Sequence, residues 1–204
     1  CEAYPRLSNL LNHRVLADKL AALEGTETAL VTGSGMAAIS TTLLTLLRSG
    51  DHLLAQSTLY GGTLALLARD LPDLGIEVSL VDGDDPGSWV EALRPTTRAF
   101  YVETLSNPLL GLSDLPAVVT FARENGLVSV IDNTFATPVN FRPAEHGFDL
   151  TLHSATKYLN GHSDVVAGAI CGKSELVGRI HRKLNHLGGS LDPGACYLLH
   201  RGLR

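Results

Sequence analysis

The sequence predicts one α/β domain: a mostly parallel sheet flanked by helices on both faces. Three observations carry that prediction. Short apolar runs of strand length alternate with segments of helical period. Glycines and polar residues gather just after the strand runs, where open α/β sheets bind their ligands. Of the 204 residues, 45% are hydrophobic and 18% charged, enough apolar side chain for a substantial core. At roughly 100–200 residues per domain, the length fits one domain, or one and a fragment.

The strand runs, in chain order, are Ala29-Leu30-Val31, Leu53-Leu54-Ala55, Val78 to Val81, Ala99 to Val102 and Val128 to Ile131. Two weaker candidates lie near 150–153 and 165–170. Each run is bounded by turn residues. Between them, Leu16, Leu20 and Leu23 share one helical face, as do Met36, Ile39, Leu43 and Leu47. Leu64, Leu67, Ala68 and Leu71 repeat the pattern, followed by Leu115, Val118, Val119 and Ala122. Ser113-Asp114 ahead of that last set, with Pro116 in its first turn, reads as a helix start. No internal repeat, linker or low-complexity tract interrupts the series.

Net charge is −5, so no overall basic field recruits nucleic acid or an anionic membrane. The uncharged stretch 28–47 is broken by Gly33-Ser34-Gly35 and reads as a strand, a turn and a buried helix, not as a membrane span. Cys1, Cys171 and Cys196 form no CxxC pair and leave one thiol odd, which fits free thiols in a reducing compartment. With no targeting signal, a soluble cytoplasmic protein is expected. The chain opens with Cys1 and its sole methionine is Met36, so it is read as processed, excised or partial.

Chemistry concentrates after the strands. Ser154-Ala155-Thr156-Lys157-Tyr158 places two hydroxyls at alternate positions, able to face one anion, directly before a lysine that can condense with an aldehyde. A surface lysine at a strand end is the plainer reading. The Ser-x-x-Lys of serine β-lactamases needs Ser-Asp-Asn and Lys-Thr-Gly partners that are absent here. Asp132 ends an apolar strand, either as a helix cap or Asx-turn or as the carboxylate that a protonated pyridine nitrogen requires. Gly33-Ser34-Gly35-Met36 joins a strand to a helix, as a tight packing turn or as a phosphate site built from helix N-terminal amides. It lacks the third glycine of a dinucleotide fingerprint. Tyr60 before Gly61-Gly62 is placed to stack on a planar cofactor, or simply to fill a turn. Gly168 with Gly172-Lys173-Ser174 imitates a nucleotide-binding loop, but only three residues separate the glycines where four are needed. The eight histidines, His181 and His186 among them, lack zinc spacing and are expected on solvated helix faces, and no metal is assigned.

Taken in order, these residues resemble the Cys/Met-metabolism (transsulfuration) family of pyridoxal-phosphate enzymes, the group of cystathionine γ-synthase and γ-lyase. The match runs from Tyr4-Pro5-Arg6 through Leu191-Asp192-Pro193 to Arg201-Gly202-Leu203, and Ser154 to Asp164 is similar to the family's lysine signature. The resemblance implies a fold-type-I large domain over 1–204 and pyridoxal 5'-phosphate as cofactor. It implies that the family's N-terminal segment before Tyr4 and its smaller C-terminal domain after Arg204 are absent. It implies that Lys157 forms the Schiff base and acts, with Tyr60, in catalysis, while Asp132 pairs with the ring nitrogen. Gly35 and Met36 amides with Ser154 and Thr156 hydroxyls would hold the phosphate. Tyr60 would stack on the ring, Asn107 would bond its hydroxyl, and Thr134 would contact its other side. Tyr4 and Arg6 would reach the phosphate of a neighbouring subunit in a homodimer or homotetramer.

The implied activity is γ-elimination or γ-replacement on sulfur amino acids or O-acylhomoserine. The alternatives are an O-acylhomoserine sulfhydrylase, a cystathionine β-lyase, or a non-catalytic fragment of such an enzyme. Two departures stand out. Asn9 is followed by Leu10-Leu11 where the family usually has Pro-Thr, and Gly62 stands where methionine γ-lyases carry cysteine, which weighs against that member.

Overall fold

The structure is a computed structural model that describes residues 3–204, so Cys1 lies outside the described residues. The first leucine period forms α1 (Leu11–Glu24), with Leu16 and Leu20 fully buried. Gly25 ends it at φ 70, a left-handed conformation that costs a residue without Cβ little. The uncharged stretch then divides into β1 (Thr28–Thr32), a turn, and α2 (Gly35–Leu46). Among the described residues, no helix is long and apolar enough to cross a membrane.

After β2 (His52–Gln56), α3 (Gly61–Ala65) passes through a π turn (Leu66–Asp70) into α4 (Leu71–Asp73). Leu67 and Leu71 are buried as expected, but Ala68 is exposed and Leu66 is buried in its stead. The wider π turn bonds residues five apart, which rotates the inward face by one position. Next come β3 (Glu77–Val81), α5 (Pro86–Ala92) and β4 (Thr97–Glu103). The expected start of α6 (Leu115–Glu124) is present: Asp114 caps it, its carboxylate accepting from the Ala117 N–H at 3.1 Å.

The chain continues through β5 (Val128–Asp132), α7 (Thr137–Asn140), β6 (Leu150–His153) and β7 (Gly168–Gly172). The strand expected at 165–170 starts only at Gly168, because Val165 and Val166 belong to the loop before it. Two helices follow, α8 (Ser174–Leu187), which carries His181 and His186, and α9 (Pro193–Gly202), for which the sequence reading named no period. Val177, Ile180 and Leu184 form the buried face of α8.

The strands make one sheet in the order β1-β7-β6-β5-β4-β2-β3. All pairings are parallel except those of β7, which is antiparallel to both β1 and β6. β1 therefore runs with β6, and the carboxyl ends of β1, β2, β4, β5 and β6 share one rim. Side chains alternate across the sheet. In β4, Ala99 and Tyr101 pack with Leu43, Leu67 and Ile180 on one face, whereas Phe100 and Val102 pack with Trp89 and Val118 on the other. Trp89 contacts Phe100 and Phe121 edge-on, with ring centroids 5.3 and 5.7 Å apart. Helices α1 and α9 close a third apolar cluster beside β1 and β7.

The histidines correct the sequence reading. His186 is exposed, but His13, His52 and His153 are buried and hydrogen-bonded, and His181 is half-buried, bonding the Leu7 carbonyl at 2.8 Å. These rings were misplaced because a strand-borne histidine such as His52 meets hydroxyl partners, Thr97 and Ser79, from neighbouring strands that are distant in sequence. Cys171 and Cys196 are buried free thiols.

Candidate active site

At the shared rim lies a cleft of about 990 Å³. Its floor is set by a close approach of two segments. Ser34 caps α2 by accepting from the Ala37 N–H at 3.0 Å, which fixes the first turn of that helix. Gly35 then lies against Ser154: a Cβ at position 35 would stand 2.7 Å from Ser154 Cβ and 2.9 Å from its Cα. Only glycine permits that contact. Gly35 and Met36 are the first two helical residues, so their N–H groups have no intrahelical acceptor. The Ser154 side chain lines the cleft beside them.

Beyond β6 the chain turns tightly, the Lys157 N–H donating to the Ser154 carbonyl at 3.1 Å and the Gly161 N–H to the Lys157 carbonyl at 2.9 Å. Lys157 lines the cleft, and no carboxylate among the described residues pairs with its amine. The Thr156 hydroxyl also lines it, but it is engaged with Ala167, donating to the carbonyl at 3.2 Å and accepting from the N–H at 3.0 Å.

On the neighbouring strand, Asp132 Oδ1 accepts from the Thr134 N–H at 3.0 Å and from the Thr134 hydroxyl. That hydroxyl in turn accepts from the Ser154 N–H at 2.8 Å, so Thr134 ties the two functional turns together. Among the described residues, Asp132 Oδ2 has only the Tyr101 hydroxyl, at 3.5 Å. Burial pushes the Asp132 carboxyl up, against the opposing effect of the Thr134 bonds. A cation set against Oδ2 would reverse that shift.

The far side carries Tyr60 and Asn107. Tyr60 is 49% exposed, and its ring rests on Gly62, where a Cβ would stand 2.6 Å from Tyr60 Cε1. Glu103, at the end of β4 beside Asp132 in register, accepts from the Tyr60 N–H at 2.8 Å and the Asn107 N–H at 3.0 Å. Burial raises Glu103 to about 7, helped by the Asp132 charge and opposed by the two amide bonds. Beneath the rim, His153 bonds buried Glu24, and Asn133 donates to the same carboxylate at 3.4 Å.

Every residue expected in a single-chain site therefore lines one cleft. Tyr4 and Arg6 do not: Arg6 donates to the Asn185 carbonyl at 2.8 Å and lies over the Tyr4 ring at 5.8 Å. Sequence reasoning placed Glu103 after the fourth strand but gave neither it nor Tyr101 a role. Glu103 ends β4 as Asp132 ends β5, and it is the registration of the two in neighbouring strands that sets Glu103 at the same rim. The imitation nucleotide loop is mostly strand β7, and because β7 runs against its neighbours its Gly172-Lys173-Ser174 end falls at the opposite rim, where Lys173 pairs with Asp149 at 3.1 Å. Among the described residues, no group of three histidines, cysteines or acids is placed to hold a metal.

A lysine with no ion-pair partner among the described residues, a half-buried aspartate with no lysine or arginine paired to it among them, and helix N-terminal amides beside a serine hydroxyl fit the aldehyde, ring nitrogen and phosphate of a pyridoxal-phosphate site. Fold and cleft together define that class of protein. The family model of the Cys/Met metabolism PLP-dependent enzymes matches residues 2–204, and the chain belongs to that family. A cystathionine beta-lyase from Bacillus subtilis is 44% identical over 190 residues, covering 93% of this chain and 48% of the relative. An L-methionine gamma-lyase from Porphyromonas gingivalis is 42% identical over 206 residues, covering 98% and 51%. The crystal structure of a cystathionine gamma-lyase from Lactobacillus plantarum complexed with L-serine superposes with a TM-score of 0.93 at 38% identity, covering 98% of this chain and 52% of that one. The chain spans about half the length of these relatives.

Proposed function

We propose that residues 1–204 form the cofactor-binding large domain of a transsulfuration enzyme performing γ-elimination or γ-replacement on sulfur amino acids or O-acylhomoserine. The observation that supports it most is the unpaired Lys157 amine in one cleft with Asp132. Pyridoxal phosphate, when bound, supplies a protonated ring that takes up the electron pair left by loss of the α-proton. Lys157 Nζ would hold the cofactor at its aldehyde carbon, and the same amine is placed to take up the substrate's α-proton and carry it onward. Asp132 Oδ2 keeps the ring nitrogen protonated. The Gly35 and Met36 amides and the Ser154 hydroxyl bind the phosphate, and Thr156 joins them by turning its proton away from the Ala167 carbonyl. Tyr60 covers one ring face and excludes water, Asn107 bonds the ring hydroxyl, and Thr134 orients Asp132. Arg6 and Tyr4 complete the phosphate site of a second copy in a cytoplasmic homo-oligomer.

The B. subtilis relative supports a β-lyase reading of the same cleft. Cystathionine decides between them in the full-length protein, since cleavage at Cγ–S releases cysteine and cleavage at Cβ–S releases homocysteine. O-acylhomoserine with cysteine or sulfide tests replacement. No turnover of any of these by a protein loaded with pyridoxal phosphate would refute the proposal.

A further inference from the structure

Glu103 is 4% exposed and pairs with no lysine or arginine among the described residues. Its own N–H is anchored to Gln56 Oε1 at 3.1 Å, so its place at the end of β4 is fixed from β2. Both carboxylate oxygens are spent on main-chain N–H groups of two separate loops, Tyr60 at 2.8 Å and Asn107 at 3.0 Å. The Asn107 loop is otherwise folded on itself, with the Ser106 N–H bonded to the Gly111 carbonyl and the Gly111 N–H to the Ser106 hydroxyl. Tyr60 is half-exposed at the mouth of the cleft. A desolvated carboxylate that bridges two loop amides is a costly choice where stability alone is concerned, because a neutral residue could bond one amide without burying a charge. What the bridge does provide is a fixed relation between the Tyr60 ring and the Asn107 side chain.

We infer that Glu103 is a positioning residue, whose carboxylate clamps the Tyr60 and Asn107 loops so that both side chains engage the pyridoxal-phosphate ring together. The inference rests on the cofactor reading given above. Glu103, whose two carboxylate oxygens are both taken by main-chain N–H groups, acts through these two residues. Glutamine in its place keeps the shape, but its amide nitrogen meets one of the two N–H donors with no acceptor, so one side of the clamp opens.

The test is Glu103→Gln in the full-length protein, with folding checked by far-ultraviolet circular dichroism. The dissociation constant for pyridoxal phosphate is measured by equilibrium dialysis, and the visible circular dichroism per bound cofactor reports the asymmetry around the ring. Affinity is expected to fall about tenfold, the lower end for loss of a hydrogen bond to a charged acceptor, and the visible dichroic signal to shrink. In a background carrying Tyr60→Ala and Asn107→Ala, where the clamp has nothing left to position, Glu103→Gln should change affinity less than about twofold. An equal loss in both backgrounds, or none in either, overturns the clamp. Wild-type protein that binds no pyridoxal phosphate overturns the cofactor reading itself, and the clamp with it. Should the glutamine variant not fold, Glu103→Asp keeps the charge but is one methylene too short to reach both amides, and the same comparison applies.

Discussion

Gly35→Ala tests the packing on which the phosphate cradle depends. The added methyl would meet Ser154 Cβ at 2.7 Å, Cα at 2.9 Å and Oγ at 3.0 Å. An ordinary carbon–carbon contact is about 3.5–4.0 Å, so the overlap approaches 1 Å. One of the opposing atoms is backbone, so no side-chain rotation relieves it. Helix α2 must back away from the Ser154–Lys157 turn, a rearrangement expected to cost about 1–3 kcal/mol. The same displacement separates the Gly35 and Met36 amides from the Ser154 hydroxyl, so affinity for pyridoxal phosphate should fall by about tenfold or more. Urea unfolding of the cofactor-free protein and equilibrium dialysis of the cofactor measure the two losses. Gly61→Ala is the control, because a Cβ there meets nothing within 4 Å. If Gly35→Ala matched Gly61→Ala in both measurements, the close approach would have no part in forming the site.

Three other outcomes follow from the same geometry. Asp132→Asn removes the carboxylate charge while keeping its shape, and kcat should fall about 10²–10³-fold, as for other lost electrostatic contacts to the reacting centre; near-normal turnover would make Asp132 a cap only. Glu103 titrates near 7 when folded against 4.5 ordinarily. The folded state then holds its proton more firmly, and stability of the cofactor-free protein should fall as pH rises from about 4.5 to 7 and level off above. Its share is about 3 kcal/mol, and urea titrations across that range should show a shallower slope in Glu103→Gln. Mixing full-length Lys157→Ala and Arg6→Ala chains should restore some activity through heterodimers whose intact lysine site receives the partner's intact Arg6; no activity after confirmed subunit exchange would rule out the shared site.

The architecture was legible where chemistry and period coincided. Asp132 closes an apolar strand, Gly35 opens a helix and Lys157 sits in the turn just past β6, so their positions at one rim follow from the direction of the strands. The π turn was not legible, because Leu64 to Leu71 fits an α-helical period as well as it fits the wider turn that forms. Neither was the reversed direction of β7, which depends on its pairing between β1 and β6. Glu103 was passed over because its role lies in two main-chain amides, and hydrogen bonds to backbone leave no trace in residue type. The Glu24–His153 pair spans 129 positions, and nothing local announces either partner as buried.

Borohydride reduction of the full-length protein in the presence of pyridoxal phosphate, followed by peptide mapping, tests the central claim most directly. The amine at the cleft has no ion-pair partner among the described residues, whereas Lys173 is held by Asp149 at the opposite rim. One pyridoxyl group per chain is expected, on Lys157, and Lys157→Ala should abolish it while leaving the fold intact. A label on Lys173, or an undiminished adduct in Lys157→Ala, would contradict the account.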